Sequence, residues 1–327
     1  MAWLTAEVCF FAFNLLFSIP LAIFLYYTIN GVFPLLAVLE DPDASPYYYL
    51  RLEKDRADDV SAGLRPRIQL KEPAANFAHK GAVTPRLRSM YRLLYSIRKP
   101  FSLLRGFGWL LLWNVCKFRL LLASIAMSPA AGLLFQIVAP LALVQLHTLW
   151  VHTTISYPSS KPAWRRVVPL KTALRSVAGP MLLALAAEAV TQRTMVGVYT
   201  GMEIEWVDFL LLQKQAGTKA TWFFLLLTLL VVVLVTPAHL LLMRVQASLL
   251  PGNEDTIIAL DSAIVLARDE GRIMTMMEAL TSVKRQSLIN LAFLYFKIIA
   301  VTWITVMVVG SIELGWYLDI AFSHWRF

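Results

Sequence analysis

The sequence predicts an all-α membrane protein in which six transmembrane helices form three helix-loop-helix repeats, and three observations predict it. Hydrophobic residues make up 58% of the 327 and charged ones only 16%, with a mean hydropathy of +0.62, outside the balance of a soluble domain. Apolar runs of about 20 residues, long enough to cross roughly 30 Å of hydrocarbon, recur along the chain. The connections between them alternate, the odd-numbered ones long and polar, the second and fourth short or sparsely charged. Lipid offers no partner to open backbone, and such runs far exceed barrel strands, so the spans are expected to be helices.

The first span is expected over Ala6–Val32, with Pro20 inside it. A polar connection, 38–105, follows, and its part at about 38–88 is dense in both charge signs and turn residues, which predicts a flexible insertion. The second span, Phe107–Ala126, carries Lys117 and Arg119, and the third, Ala131–Val151, carries Pro140 and His147. The fourth, Ser176–Val190, contains Glu188. Thr221–Met243, with Pro237, is the clearest run, and Asn290–Gly310 is the last. These pair into repeats at 1–128, 129–200 and 201–327 of one membrane domain, with one proline near the middle or end of each odd helix. Proline removes a helix hydrogen bond and clashes one turn back, so three bends are expected.

Charge distribution sets the sidedness. The connections 38–105, 154–175 and 244–285 hold 23 of the 30 Lys and Arg residues, which places all three on one side and both termini opposite. Anionic membrane lipid is the expected partner of these loops, and nucleic acid is not expected. Phosphate-binding loops, dinucleotide fingerprints, catalytic triads and metal-ligand spacings are missing from the sequence, so no enzymatic activity, cofactor or metal is expected. Cys9 and Cys116 both fall within spans and are read as packing residues. The start, MAWLTAEV, has neither a basic n-region with a cleavage site nor an Arg-rich presequence, so no cleavable targeting peptide is expected.

The end of the fifth span is the most informative stretch. In TPAHLLLMRVQASLLPG, Arg244 follows Pro237 by seven residues and Gln246 by nine, and both are expected to emerge at the basic-side end. Asp261 to Arg268 then has the apolar spacing of a short amphipathic helix, ended by Glu270 and Gly271. This register, with Asp261 ten residues before Gly271, resembles the third repeat of the mitochondrial carrier family (solute carrier family 25). The second repeat matches less closely, with His147 in the arginine's place; the first has Pro20 and, later, LLRG in RKPFSLLRGFGWLLL.

The resemblance implies a pseudo-threefold carrier fold, alternating-access transport of a small solute and the mitochondrial inner membrane, with the outer mitochondrial or peroxisomal membrane as the alternative. The family's gate places an acid two residues and a base five residues after each proline. Here those positions are Ala22 and Leu25, Ala142 and Gln145, and His239 and Leu242, and Lys297 stands where the opposite gate has an acid. Missing gate charges favour a second expectation, a carrier-fold scaffold, adaptor or insertase that does not transport.

Carried over by register, the substrate contacts are Arg285, Trp113 and Arg175; for Arg285, anchoring the last helix at the interface beside Lys284 is the alternative. Lys117 shares a helix face with Trp113, and Arg119 lies about 200° around, so only one of the two bases can face inward. Lys117 is the candidate, snorkelling to the surface being the alternative. Glu188 either pairs with Lys117 or binds a cation, and His147 reads as an interhelical hydrogen bonder. Lys117 and Arg285 together would make the cavity basic and suited to an anionic metabolite.

Overall fold

A computed structural model describes residues 2–41, 86–98, 102–158, 166–202, 214–252 and 254–324. Among them the chain is all-α, with six helices long and apolar enough to cross a membrane, and the only strand-like pairing is two isolated bridges. The helices are α1 (2–39), α2 (Leu87–Arg98), α3 (Phe107–Ile125), α4 (Pro129–Ile155), α5 (Leu170–Met202), α6 (214–248), α7 (Ser262–Asp269), α8 (Met276–Thr281) and α9 (Arg285–His324). The six membrane-length ones are α1, α3, α4, α5, α6 and α9. Large apolar side chains such as Phe11, Leu134, Trp222, Phe293 and Ile304 are exposed on their outer faces, the pattern of a surface solvated by lipid.

Each of the three expected prolines sits beside a departure from α-helical spacing. Pro20 lies between π-helical turns at Asn14–Ser18 and Phe24–Val32, Pro140 lies in a 3-10 turn at Ala139–Leu143, and Pro237 follows a π turn at Val231–Val235. A proline ring excludes the regular bond to the preceding turn, and the wider or tighter turn absorbs the mismatch. Side chains add further hydrogen bonds to carbonyls within the two π-helical turns. Thr236 Oγ1 donates to Val231 O at 2.9 Å, and Asn30 Nδ2 donates to Leu25 O at 2.8 Å.

The three odd connections meet at one end of the bundle. The segment 254–261 runs between the ends of α1 and α4. Its Ile257 N donates to Ile155 O (2.9 Å) and its Asp255 O accepts from Tyr157 N (2.9 Å) on one side. On the other, Asp261 N donates to Leu39 O (2.9 Å) and Ala259 O accepts from Asp41 N (3.0 Å). Lys284 Nζ reaches Asp41 Oδ1 at 2.8 Å, and Arg166 reaches Glu254 at 3.5 Å, so all three connections are tied together. The core sits at this same end: Leu35 to Leu39, Val151, Ile155, Val245, Ile257 and Ile258 are all buried. Toward the opposite end the helices bury few side chains against one another.

Several expectations change. Arg244 and Gln246 lie at the basic-side end but are buried there, at 1% and 0% exposure. Arg244 pairs with Asp261 at 3.3 Å and donates to Ser282 Oγ at 2.9 Å, because a guanidinium held inside needs several acceptors. Asp261 also caps α7 by accepting from Ala263 N at 3.0 Å, and Gly271, φ +62°, ends the turn after Glu270. The insertion expected at about 38–88 lies mostly in 42–85, outside the described residues; its first two residues, Val38 and Leu39, complete α1 and are buried. The same connection contains α2, whose Met90, Leu93, Leu94 and Ile97 enter the core while Arg88 and Arg92 stay exposed. Cys9 is exposed on α1 rather than packed, and Cys116 is partly buried.

Candidate functional site

Between α1, α3, α4, α5 and α6 lies a cavity of about 540 Å³. It sits within the membrane-length part of the bundle: at 1.5 Å per residue, Lys117, Glu188 and His239 all lie roughly 14 Å or more along their helices from the basic end. Its titratable lining residues are Tyr26, Lys117, His147, Glu188 and His239, set among Trp113, Asn114, Gln136 and Trp150.

Glu188 is the centre of this set. Lys117 Nζ, from α3, donates to its Oε2, and His239 Nε2, from α6, donates to its Oε1 at 2.8 Å. One carboxylate on α5 thus holds two other helices, and the three side chains keep 26%, 22% and 21% of their surface open, for Lys117, Glu188 and His239 respectively. A charge pair sealed for structure alone is dry; this one faces space. Lys117 points here because Trp113, one turn earlier, packs as a buried neighbour on the same face, and Arg119 is exposed on the other.

Beside the carboxylate, toward the basic end, α4 and α6 share a hydrogen-bonded layer. His147 Nδ1 donates to Gln246 Oε1 at 2.9 Å, Gln246 Nε2 donates to Thr148 Oγ1 at 3.2 Å, and His152 Nε2 donates to the Gln246 carbonyl at 2.8 Å. Nδ1 of His147 therefore carries a proton, since the Gln246 amide oxygen can only accept. Trp113 and Trp150 meet the His147 ring edge-on at 5.2 and 5.1 Å and fix its plane.

The structure brings Trp113, Lys117, Glu188 and Pro140 to one cavity. It does not bring Arg285 or Arg175 there. Arg285 is exposed at the first turn of α9, and Arg175 is exposed near the start of α5. The cavity is therefore not the doubly basic site expected from Lys117 and Arg285, since its lysine is matched by Glu188. Arg244, Gln246, Asp261, Glu270 and Gly271 belong to the basic end and its connection, and Pro20 and Pro237 to the helix irregularities. The residue that sequence reading missed is His239. In the sequence it stands only as a gate position lacking an acid, yet it faces the one acid in the cavity lining.

No family model, no curated protein and no solved structure matches the chain. The family resemblance consequently rests on the residues of the last third, and the functional reading rests on the cavity.

Proposed function

We propose that the chain is a multi-pass membrane transporter that moves a small anionic solute by alternating access around the Glu188 cavity, on the three-hairpin plan of the mitochondrial carriers and in the mitochondrial inner membrane. The observation that carries this reading is Glu188 held by Lys117 and His239 from two other helices, open to a cavity at membrane depth. Ionisable groups inside a bilayer are costly, and where they face a polar cavity between helices they mark solute pathways. An entering anion offers Lys117 and His239 the same chemistry as the Glu188 carboxylate and competes for both donors. The short reach from one cavity to three helices lets that competition alter how α3, α5 and α6 are tied together.

The alternative, a carrier-fold scaffold, is favoured by the uncharged gate positions and by the backbone lacing of 254–261 across the basic end. Uptake separates the two readings. Purified chain in liposomes is expected to take up at least one of radiolabelled lactate, succinate, citrate or phosphate, and Lys117→Met to lower its initial rate at least tenfold. Wild-type uptake of none of these anions would leave the scaffold reading standing.

A further inference from the structure

We infer that the solute anion is carried together with a proton, and that Glu188 is the group that carries it. This rests on the transport reading above and adds its coupling.

The Lys117 ammonium and the Glu188 carboxylate balance each other, with His239 supplying an N–H. An anion that takes over the Lys117 and His239 donors adds a second negative group beside Lys117, the one lysine or arginine of the lining. The groups facing Glu188 from the surrounding helices are Tyr26 of α1, Lys117 of α3, His147 of α4 and His239 of α6, and none but Lys117 is a fixed cation. Among the other bases of these helices, Arg119, Lys171, Arg175 and Arg193 are exposed, and the buried Arg244 is paired with Asp261 at the basic end. A charge on His147 would be costly, because its side chain is 5% exposed. A carboxylate stripped of its counter-ion at membrane depth takes up a proton instead of remaining charged.

The cycle balances. A proton from water on the entry side bonds to a Glu188 oxygen as the anion accepts from Lys117 Nζ and His239 Nε2. The occupied site holds one ammonium, one anion and a neutral carboxyl. When the cavity opens on the other side the anion leaves, Lys117 and His239 return to Glu188, and the proton passes to water there. A monoanion and a proton cross together with no net charge.

Liposomes holding the wild-type chain and a trapped pH dye test this, with lactate, succinate, citrate and phosphate as probes. An inside-alkaline gradient of one pH unit is expected to drive about tenfold accumulation of the transported monoanion, the factor for one proton per pH unit, with internal acidification. Whatever flux Glu188→Gln retains is expected to respond to membrane potential and not to the pH gradient, whereas Glu188→Asp keeps the gradient response. Wild-type uptake with no pH dependence and no acidification overturns the coupling and leaves the transport reading intact. Gradient-driven flux surviving in Glu188→Gln but lost in His239→Gln overturns the role of Glu188. No uptake of any probe removes the transport reading and the coupling with it.

Discussion

Arg244 is among the largest fully buried side chains of the described residues, and its chemistry shows what a charge needs in order to stay inside. Asp261 matches its charge at 3.3 Å, Ser282 takes one N–H at 2.9 Å, and the Val38 carbonyl lies 3.4 Å away. Asp261→Ala leaves that guanidinium unmatched and is expected to cost about 3 to 5 kcal/mol, the usual penalty for breaking a buried pair from one side. Adding Arg244→Met should recover most of it, as read from thermal unfolding of the single and double variants in one detergent; equal losses in both would contradict the pairing. The spacing of Pro237, Arg244 and Asp261 was legible in the sequence, but their burial was not. Nothing in a run of residues shows that a loop returns a carboxylate across 17 positions to meet an arginine. The same limit hid His239: its partner lies on another helix, 51 positions earlier.

At the scale of elements, hydropathy located all six spans but carried no record of backbone spacing, so the π turns beside Pro20 and Pro237 could not be read from it. Close approaches were hidden for the same reason. Gly106 opens α3 at φ +79°, and a Cβ there would lie 2.9 Å from Thr154 Oγ1 and 3.2 Å from both the Tyr27 hydroxyl and Trp150. Gly106→Ala therefore meets left-handed strain and a crowded junction of α1, α3 and α4, and a loss of roughly 1 to 3 kcal/mol is expected in the same unfolding assay. The connection after α7 tests pH at an exposed site. Thr275 and Glu278 form a reciprocal cap on α8, and the backbone N–H of Thr275 holds the Glu278 carboxyl below its usual range. A lowered folded-state pKa contributes stability above the unfolded carboxylate value and loses it as pH falls through the folded one. Amide exchange in α8 should accordingly quicken in strong acid, after correction for intrinsic rates, and Glu278→Gln should remove that step.

For the whole molecule, the alternation of basic and sparse connections correctly predicted a bundle with three connections gathered at one end, because charge reports which loops share a side. How they are joined was not legible, since 254–261 ties α1 to α4 through backbone atoms that every sequence possesses. That lacing is expected to open during transport. With Cys9 and Cys116 replaced, cysteines at the bridged pair Ser156 and Thr256 should form a disulfide that stops uptake, with reduction restoring it; bridge-paired residues lie close enough for such a bond. Unchanged uptake in the fully oxidised protein would mean that this end stays shut throughout the cycle.

The central claim, that the Glu188 cavity is an aqueous path reached in turn from each side, is tested most directly at Asn114, which lines it. A single cysteine, Asn114→Cys, in the chain lacking Cys9 and Cys116 is placed in sealed vesicles and exposed to a membrane-impermeant charged maleimide from one face or the other. Labelling is expected from both faces, slowed from both by the transported anion. Labelling from one face only, whether or not the anion is present, or from neither, would contradict it.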